Sequence, residues 1–600
     1  MIRLLNAIYK LGKLYLEKEG LNEFEVLLDN KDIGAVLSID LSEDDFGNFS
    51  YDKVSQEDYD THKKMLYLYK KGSSRGANIS PSSLITDDIE KTFNIKFLKW
   101  FKNNQKNNEY FKKCYDFFED NKDNIISDLN EVYESIDVGK SNVLLTLKIF
   151  KNNQYSYLGD IDLFKESFIK TSFEKFYKKG SKEIKGESCC FLCDEHKTVY
   201  GLVASALGFT FSTPEKLGNV PGNHILNQWK LLPICADCAL YLAAGKNFIE
   251  KYLSFKEFGL SYYVIPTFLF DSKEGFNKLY AILKSFEKDE TQNSKDEIAI
   301  ENKLFRLVKK IDDIVEFKFL FYESSNSAFN ILAYVESVIP SWLNKLYGAQ
   351  GEISDFDFFN ESNLKNIFGD KHTGNVIDLI NNNEKFYKCS ENDWFKRILR
   401  DFTFSFSKKI YIDLVVDVIS NKKLDYKFLM NRVMDKIRSN WRNKEGYALK
   451  ISVLKSLMLL VLMFKLNLIK GVESMDMDGE FSLESLLNSS DKKASFLLGA
   501  LTKRLLNVQY RELGSNPFYN KLWGLSLDQK KIKKLYPMVI NKLREYNIAY
   551  LELEENISKN LINSESNWKL NRDETSYFFV LGFTMPYFEK NNKKEDDLNE

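Results

Sequence analysis

The sequences ESCCFLC (residues 187–193) and LPICADC (residues 232–238) decide the fold of the middle of this chain. Each ends in a Cys-x-x-Cys pair, and the two pairs together supply four thiolate ligands. Tetrahedral Zn²⁺ in closed structural sites favours such an all-sulfur ligand set. The sequence therefore predicts a structural zinc ion in a zinc module over residues 187–240. The predicted ligands are Cys190, Cys193, Cys235 and Cys238.

The insert between the two pairs (residues 194–234) is 41 residues long. This exceeds the roughly 15 to 20 residues of a small zinc ribbon, so we expect the insert to form structure of its own. Three alternatives are open. Cys189 permits a shifted first ligand, and His196 or His224 could replace one cysteine. All four thiols could instead be reduced core cysteines.

The composition predicts a folded cytoplasmic protein. Of 600 residues, 44% are hydrophobic and 28% are charged, with only 9 Pro and 28 Gly, which excludes collagen-like and disordered chains. Seven cysteines, four of them in the two pairs, fit a reducing compartment better than a disulfide framework. A formal net charge of -1 means that any polyanionic partner must be held by local basic surfaces.

We predict neither an export signal nor a membrane span. Arg3, Lys10 and Lys13 interrupt the apolar residues at the start of the chain, where a signal sequence needs an unbroken apolar region. The apolar run over residues 456–464 is nine residues long, about half of what a membrane span requires. We expect it to be a core helix.

Outward from the cysteines, the sequence divides into two parts. Up to residue 355, runs rich in aromatic and β-branched residues alternate with helical stretches. These strand-like runs are residues 33–41, 143–150, 258–270, 317–322 and 329–335. Beyond residue 355 a helical period dominates, in residues 456–469, 497–508 and 538–548. We predict an α+β N-terminal domain (1–355), which contains the zinc module, and an all-α C-terminal helical bundle (356–600).

A loop near the N-terminus, KKGSSRGANISP (residues 70–81), is the first candidate nucleic-acid site. Its glycines let backbone N–H groups approach an anion, and an arginine offers a bidentate fork to phosphate. An asparagine can read a base edge. The candidate residues are Lys71, Arg75 and Asn78. An ordinary polar turn is the alternative.

The second candidate is the later part of the insert, where polar and basic residues crowd around Pro221 and Gly222. A loop anchored by a metal ion could reach into a nucleic-acid groove. The candidate residues are Lys216, Asn219, Asn223, Asn227, Gln228 and Lys230. A solvated hairpin tip is the alternative.

The third candidate lies in residues 396–450, which contain 14 Lys or Arg against 6 Asp or Glu. Such a density suits a surface that follows phosphates, and Trp441 could stack on a base. The candidate residues are Lys436, Arg438 and Arg442. A solvated helix face is the alternative.

Signals of catalysis are weak in this sequence. Gly139-Lys140-Ser141 resembles the end of a Walker A loop, but Glu134 occupies the position of the required first glycine. The four histidines are scattered, and no His-Asp dipeptide or Gly-x-Ser-x-Gly motif occurs. We therefore predict that the chain binds and is not an enzyme.

Taken together, these stretches resemble the large subunit of the type I-B CRISPR Cascade surveillance complex. The resemblance extends over nearly the whole chain. It rests on both cysteine pairs and on KKGSSRGANISPSS (70–83), GFTFSTPEKLG (208–218), FNILAYVESVIPS (329–341), ASFLLGALTKRLLNVQY (494–510) and NPFYNKLWGLSLD (516–528).

The resemblance implies a non-catalytic subunit that recognises the protospacer-adjacent motif on double-stranded DNA. Such a subunit helps open the duplex and holds the displaced strand, while guide RNA pairing reads the target sequence. The implied partners are guide RNA, target DNA, Cascade backbone and small subunits, and a recruited helicase-nuclease. The resemblance also implies that residues 475–600 can be made separately as a small subunit. A zinc-bearing nuclease and a purely architectural ribonucleoprotein scaffold are the alternatives.

Overall fold

The computed structural model divides into two compact units. Unit 1 comprises Met1–Ser254 with Ser324–Asn330, and unit 2 comprises Phe255–Glu323 with Ile331–Glu600. The structure describes all residues except 1, 30, 73–75, 87, 107, 137–140, 210–223, 258–259, 269–272, 291–314, 326–327, 357–358, 360, 370–393, 445, 472–482 and 586–600.

Unit 1 contains a mixed five-stranded sheet. Its order is β2-β1-β4-β3, and β5 also pairs with β4. The strands are β1 (Ile33–Glu43), β2 (Phe49–Asp58), β3 (Ser83–Leu84), β4 (Asn142–Lys151) and β5 (Gln154–Tyr157). The central strands β1 and β4 are parallel, with Leu37 opposite Leu145. Their aliphatic side chains are buried, as expected for strands at the centre of a sheet.

The helices of unit 1 are α1 (Ile2–Glu19), α2 (Lys64–Tyr67), α3 (Ile89–Thr92), α4 (Lys99–Asn104), α5 (Glu109–Asp120), α6 (Lys122–Glu134), α7 (Asp162–Tyr177), α8 (Val203–Ala206) and α9 (Ala236–Tyr252). A π-helical segment, Phe93–Leu98, joins α3 to α4, and short 3-10 helices occupy Glu23–Leu27, Thr61–Lys63, Leu158–Asp160 and Ile225–Lys230.

Helices α1 and α9 pack with their backbones unusually close. A Cβ atom added to Gly12 would lie 1.9 Å from the carbonyl oxygen of Tyr241. A Cβ atom on Gly245 would lie 2.1 Å from the carbonyl oxygen of Ile8. The two glycines therefore permit a helix contact that no larger residue allows.

A second, three-stranded antiparallel sheet carries the cysteines, in the order β10-β9-β8. Its strands are β8 (Lys185–Cys189), β9 (His196–Tyr200) and β10 (Ile234–Cys235). A small hairpin of β6 (Lys178–Lys179) and β7 (Lys182–Glu183) precedes it. Helix α9 begins directly after β10, so the second cysteine pair lies at a strand-to-helix junction.

Most residues of a four-stranded sheet, in the order β11-β12-β13-β14, belong to unit 2. Its strands are β11 (Ser254–Glu257), β12 (Leu260–Phe268), β13 (Val315–Ser325) and β14 (Ala328–Val338). Along the antiparallel pair of β12 and β13, Val264 is opposite Phe319. Both residues are buried, which gives the sheet an aromatic and aliphatic core.

The helices of unit 2 are α10 (Lys273–Glu290), α11 (Pro340–Ser354), α12 (Glu361–Phe368), α13 (Trp394–Thr403), α14 (Lys408–Ile419), α15 (Tyr426–Arg442), α16 (Gly446–Lys465), α17 (Leu483–Leu486), α18 (Ser490–Leu513), α19 (Gln529–Glu545), α20 (Leu551–Asn563) and α21 (Arg572–Thr584), with a 3-10 segment at Pro517–Leu525. Asp425 and Asp528 cap α15 and α19 through their side chains, and Gly514 ends α18 in the left-handed conformation. These signals delimit helices as expected.

Four of the five predicted strand regions are confirmed. The fifth, residues 258–270, is a strand over Leu260–Phe268, and its remaining residues lie outside the described part of the chain. Helices dominate the described C-terminal residues. The prediction that residues 356–600 are all-α is only partly confirmed. A short parallel pair, β15 (Leu424–Asp425) and β16 (Ile469–Lys470), joins two segments there. The predicted domain boundary at residue 355 falls inside unit 2, because the sheet β11–β14 groups with the helices that follow it.

Among the described residues, one helix is long and apolar enough to cross a membrane, Gly446–Lys465. Every residue from Ser452 to Phe464 is buried within the protein. The predicted core helix is thus confirmed, and burial explains its apolar composition.

Candidate metal centre and nucleic-acid interface

The first cysteine pair lies on a tight turn between β8 and β9. The backbone N–H of Cys190 donates to the carbonyl of Glu195 at 2.8 Å, and that of Asp194 donates to the carbonyl of Cys190 at 2.9 Å. Asp194 adopts the left-handed conformation, with φ of 59°. This turn brings Cys193 back beside Cys190.

The second pair meets the first because β10 pairs with β9. Cys235 is opposite Val199 at the end of β10, and Cys238 lies in the first turn of α9. The backbone N–H of Phe191 also donates to the carbonyl of Pro233 at 2.8 Å. The two pairs are therefore fixed to each other by backbone hydrogen bonds on both sides.

The four sulfur atoms form one group, called the thiol cluster below. All lie within 4.8 Å of one another, and Sγ of Cys193 is 3.9 Å from Sγ of Cys235. Tetrahedral zinc with Zn–S bonds of about 2.3 Å requires S–S distances of about 3.8 Å. The predicted convergence of the four cysteines is confirmed, and the cluster could hold a metal ion such as zinc.

Hydrogen bonds among the thiols shift the pKa values of three of the cysteines. Hydrogen bonds from Cys235 and Cys238 hold the pKa of Cys190 well below its usual range. The hydrogen bond with Cys190 raises the pKa of Cys235 to about 11 and is the largest cause of a raised pKa at Cys238. Hydrogen bonds from the neighbouring thiols thus stabilise the thiolate form of Cys190. A divalent cation would replace those protons and let all four sulfurs ionise.

The alternative ligands lie outside the thiol cluster. Cys189 is exposed and pairs across the hairpin with His196, which is also exposed. His224 is exposed too, and its Nδ1 accepts a hydrogen bond from the N–H of Leu226 at 3.3 Å. The structure therefore favours the four cysteines over these substitutes.

The N-terminal candidate loop is anchored by buried hydrogen bonds. The N–H of Gly72 donates to Oδ1 of Asn78 at 3.1 Å, and Nδ2 of Asn78 donates to the carbonyl of Ser82 at 3.0 Å. Asn78 is only 7% exposed, so it holds the loop closed and does not face a ligand. Trp100 adds a hydrogen bond from Nε1 to the carbonyl of Ile79 at 3.0 Å. We call residues 70–83 the anchored loop.

Lys71 lies in the anchored loop, and Lys96 and Lys99 lie on the helical segment that contacts it. Lys96, in the π-helical segment, donates from Nζ to the carbonyl of Gly76 at 2.6 Å. Partial burial lowers the pKa of Lys96, and the positive charges of Lys71 and Lys99 lower it further. Lys96 is therefore close enough to both of these lysines to be repelled by their charges. Arg75 lies outside the described residues.

The candidate nucleic-acid residues of the insert differ from one another in burial. Gln228 is only 3% exposed, and its Oε1 has no hydrogen-bond partner among the described residues. Asn227 is half-buried and Lys230 is exposed, with its Nζ 5.3 Å from the Trp229 ring. Trp229 itself packs against β8, where a Cβ on Gly186 would lie 2.5 Å from the ring. Lys216, Asn219 and Asn223 lie outside the described residues.

The third candidate group is not a single surface. Lys436 and Arg442 are exposed, but the guanidinium of Arg438 forms an ion pair with Asp573 at 2.6 Å. Trp441 is 2% exposed and stacks on Tyr519. The expected role of Trp441 in base stacking is therefore wrong, because the indole belongs to the core of unit 2.

Three family models match successive parts of the chain. They describe the N-terminal domain (residues 4–170), the central domain (187–338) and the C-terminal domain (398–597) of CRISPR-associated protein TM1802. The chain belongs to the TM1802 family of CRISPR-associated proteins. A search of curated proteins found no match to it.

Each candidate site falls within one of the matched TM1802 regions. The anchored loop lies in the N-terminal match, the thiol cluster in the central match and Lys436 in the C-terminal match. A CRISPR-associated protein works with nucleic acids and with other Cas proteins, so basic surfaces on this TM1802 protein are relevant to its function.

Sequence reasoning missed two kinds of residue. Lys96 and Lys99 lie on a helix that contacts the anchored loop, and no local motif marks them. Tyr9 lies far from the cysteines in sequence, yet its hydroxyl group donates a hydrogen bond to Cys238. Only the packing of α1 on α9 brings Tyr9 there.

Proposed function

We propose that this chain is the non-catalytic large subunit of a type I-B CRISPR surveillance complex. In this role it recognises the protospacer-adjacent motif on double-stranded DNA, aids duplex opening and holds the displaced strand. Its partners are guide RNA, Cascade backbone and small subunits, and a recruited helicase-nuclease that cuts the target. It acts in the cytoplasm.

The observation that carries this proposal is the lysine group at the anchored loop. Burial and the charges of Lys71 and Lys99 lower the pKa of Lys96, and an anion bound beside these lysines would be attracted by all three ammonium groups. The buried side chain of Asn78 joins Gly72 to Ser82 through hydrogen bonds, which fixes the described parts of the loop and reduces the ordering that binding requires. Membership of a CRISPR-associated family supports DNA as the source of the phosphates.

We assign a structural role to zinc at the thiol cluster. Three of its four cysteines are buried, and four sulfur ligands leave no open coordination position for substrate. Zinc there would tie the ends of the insert together. The residues of the insert can then be presented to DNA from a rigid base.

The test uses the assembled complex with its guide RNA and a matching duplex, with or without the adjacent motif. Arg75→Ala should weaken duplex binding for every motif, because a phosphate contact carries no sequence information. Asn223→Ala should flatten discrimination between motifs by about 1–3 kcal/mol if its amide contacts a base. Lys53→Ala, an exposed basic residue on β2, is the matched control.

Three results would overturn the proposal. Wild-type binding by both variants at matched salt would remove the loop assignments. Motif-independent binding by the wild-type complex would favour an architectural scaffold. Metal-dependent cleavage by the isolated chain would favour a zinc-bearing nuclease.

A further inference from the structure

Two phenylalanine rings at the surface of unit 2 contact the same arginine. Phe406 lies in the turn between α13 and α14, and Phe428 lies near the start of α15. The guanidinium carbon of Arg432 lies 4.1 Å from the centre of the Phe406 ring and 5.8 Å from the centre of the Phe428 ring. We call these three residues the aromatic patch.

The ring of Phe406 is open on one side. The guanidinium of Arg432 lies over one face of the ring, yet the residue is 63% exposed. Its other face is therefore in contact with solvent. Phe428 is 37% exposed. Two neighbouring rings with this exposure leave apolar area in water, which favours a partner that covers it.

The backbone of the aromatic patch is fixed by hydrogen bonds. The N–H of Phe406 donates to the carbonyl of Thr403 at 3.1 Å, and the N–H of Phe428 donates to Oδ1 of Asp425 at 2.8 Å. Arg432 follows Phe428 by four residues on α15, so their side chains are neighbours on the helix surface. The rings are thus held in place before a ligand binds, which lowers the entropy cost of binding.

Exposed lysines lie next to the aromatic patch along both helices. Lys427 directly precedes Phe428 in α15. Lys436 lies four residues after Arg432 and is its neighbour on the helix surface. Lys409 lies in the first turn of α14. All three lysines are exposed, and none forms an ion pair among the described residues.

These lysines distinguish between two kinds of partner. Lysine is depleted from the cores of protein–protein interfaces, whereas it is a common ligand of nucleic-acid phosphates. The patch also lies within residues 396–450, where 14 Lys or Arg stand against 6 Asp or Glu. The excess of positive charge therefore favours a polyanion over a protein as the partner.

A single strand of nucleic acid matches open rings with cations beside them. Proteins that bind single strands combine cations along the backbone with aromatic rings on which unpaired bases stack. A base in a duplex is already stacked and does not expose its face to a protein ring. We propose that Phe406 stacks on a base of a bound single strand, while Lys409, Lys427 and Lys436 contact its phosphates. The proposal deepens the proposed function and rests on it for the choice of a nucleic-acid partner.

The site shares the basic stretch predicted from the sequence but uses a different ring. Trp441 is buried and Arg438 is paired with Asp573, so neither is open to a strand. Phe406 supplies the exposed ring instead. The site lies in unit 2, while the anchored loop lies in unit 1, so a strand can bind here whether or not the anchored loop reads a motif.

The test measures binding of labelled oligonucleotides to the full chain without guide RNA. The probes are a 20-nucleotide oligo(dT), an oligo(rU) of equal length, an abasic oligomer of equal length and a blunt duplex. Phe406→Leu keeps an apolar side chain but removes the ring, so it should bind oligo(dT) and oligo(rU) at least about fivefold more weakly. Its affinity for the abasic oligomer and the duplex should stay within about twofold of the wild type, because neither presents an unpaired base.

The double variant Lys427→Gln/Lys436→Gln tests the phosphate contacts. It should weaken binding of oligo(dT) and of the abasic oligomer alike and lower the salt dependence by about one to two counterions. Lys345→Gln/Lys559→Gln is the matched control, because both lysines are exposed in unit 2 on other helices. It should change binding less than about twofold.

Tyr510→Leu is the matched control for the ring, because Tyr510 lies in unit 2 and is also 63% exposed. It should bind every probe within about twofold of the wild type. Phe406→Tyr, which keeps the ring, should bind oligo(dT) like the wild type. Thermal melting checks folding, and substitutions at these exposed positions should leave the melting temperature nearly unchanged.

Four results would overturn the inference. They are wild-type affinity of Phe406→Leu for oligo(dT), an equal loss for the abasic oligomer, an equal loss in Tyr510→Leu, and no binding of oligo(dT) by the wild-type chain. A failed motif assay with ring-dependent oligonucleotide binding would remove the motif-recognition role and leave this site standing. The reverse pattern would remove this site and leave motif recognition standing.

Discussion

The hydroxyl group of Tyr9 donates a hydrogen bond to Sγ of Cys238. Tyr9 lies on the N-terminal helix α1, and Cys238 lies in the first turn of α9. The ring of Tyr9 also contacts Tyr241 edge to face, with 5.7 Å between centroids. The thiol cluster is therefore connected directly to a helix that begins at the second residue of the chain.

Tyr9→Phe should weaken zinc binding by about tenfold. The substitution keeps the ring but removes the hydrogen bond to a ligand sulfur, and such outer contacts typically contribute 10- to 100-fold in metal affinity. Competition with a chromophoric chelator measures the change. Tyr241→Phe is the control. Burial raises the pKa of Tyr241 and the nearby Cys238 contributes, but no hydrogen bond to Cys238 is among the causes of this shift. Equal affinity of Tyr9→Phe and wild type would show that the contact does not stabilise bound metal.

The protein should contain one zinc ion per chain. Elemental analysis of untagged, metal-replete protein checks this, and less than about half an equivalent would exclude a structural site, which binds tightly. Chelation should increase amide exchange in β8, β9 and the start of α9, because the metal ties these segments together. Cys235→Ser should reproduce the effect of chelation. Cys189→Ser, at an exposed position outside the cluster, should not.

Gly245→Ala should destabilise the contact between α1 and α9. Alanine normally stabilises a helix relative to glycine by about 1 kcal/mol. Here the added Cβ would lie 2.1 Å from a backbone oxygen of Ile8. We therefore expect alanine to lower the free energy of unfolding, by about 2 kcal/mol or more. Hydrogen exchange in α1 reports the loss. Gly348→Ala is the control, since no atom lies within 4 Å of its added Cβ; protection in α11 should stay equal or rise.

Lys70→Met should stabilise the protein more at pH 7 than at pH 10. Burial lowers the pKa of Lys70 to about 8, and the charge of Lys175 contributes. Below pH 8 both folded and unfolded chains carry the proton, so the folded state bears the full cost of the buried charge. Between about pH 8 and 10.4 the unfolded chain binds a proton that the folded chain has lost, so wild-type stability rises with pH.

The measurement is the difference in melting temperature between Lys70→Met and the wild type from pH 7 to pH 10. It should fall as the pH rises. Lys53→Met, at an exposed position on β2, is the control and should show only a small difference throughout. A Lys70→Met difference that grows with pH would contradict burial as the cause.

Arg438→Gln should lower thermal stability, whereas Lys436→Gln should not. Arg438 donates from Nε to the carbonyl of Leu525 at 3.0 Å and pairs with Asp573. Burial alone would raise the pKa of Asp573, but hydrogen bonds from Asn431 and Arg438 outweigh it and lower the pKa. Breaking this half-buried pair should cost about 2 kcal/mol, measured by thermal melting. An unchanged melting temperature for Arg438→Gln would return Arg438 to the list of nucleic-acid candidates.

Local sequence patterns predicted the elements whose signals lie within a few residues. Residues 33–41 and 143–150 were expected to be strands, and the structure has Ile33–Glu43 and Asn142–Lys151. The predicted helix over residues 538–548 is less accurate. The structure has Gln529–Glu545, which continues through Pro537. The helix persists because Asp528 caps its start and apolar residues on both sides of the proline are buried.

The spacing of the two cysteine pairs determined the candidate metal ligands, because a Cys-x-x-Cys turn places two sulfurs together in any fold that accommodates it. The tertiary structure decided what surrounds them and which polar residues remain accessible. Asn78 and Gln228 look suited to ligands in the sequence, but packing buries both. The proximity of Tyr9 to Cys238 likewise arises only when distant helices pack. Spacing constrains neighbours within a turn or strand, whereas burial and long-range contact depend on how the elements fit together.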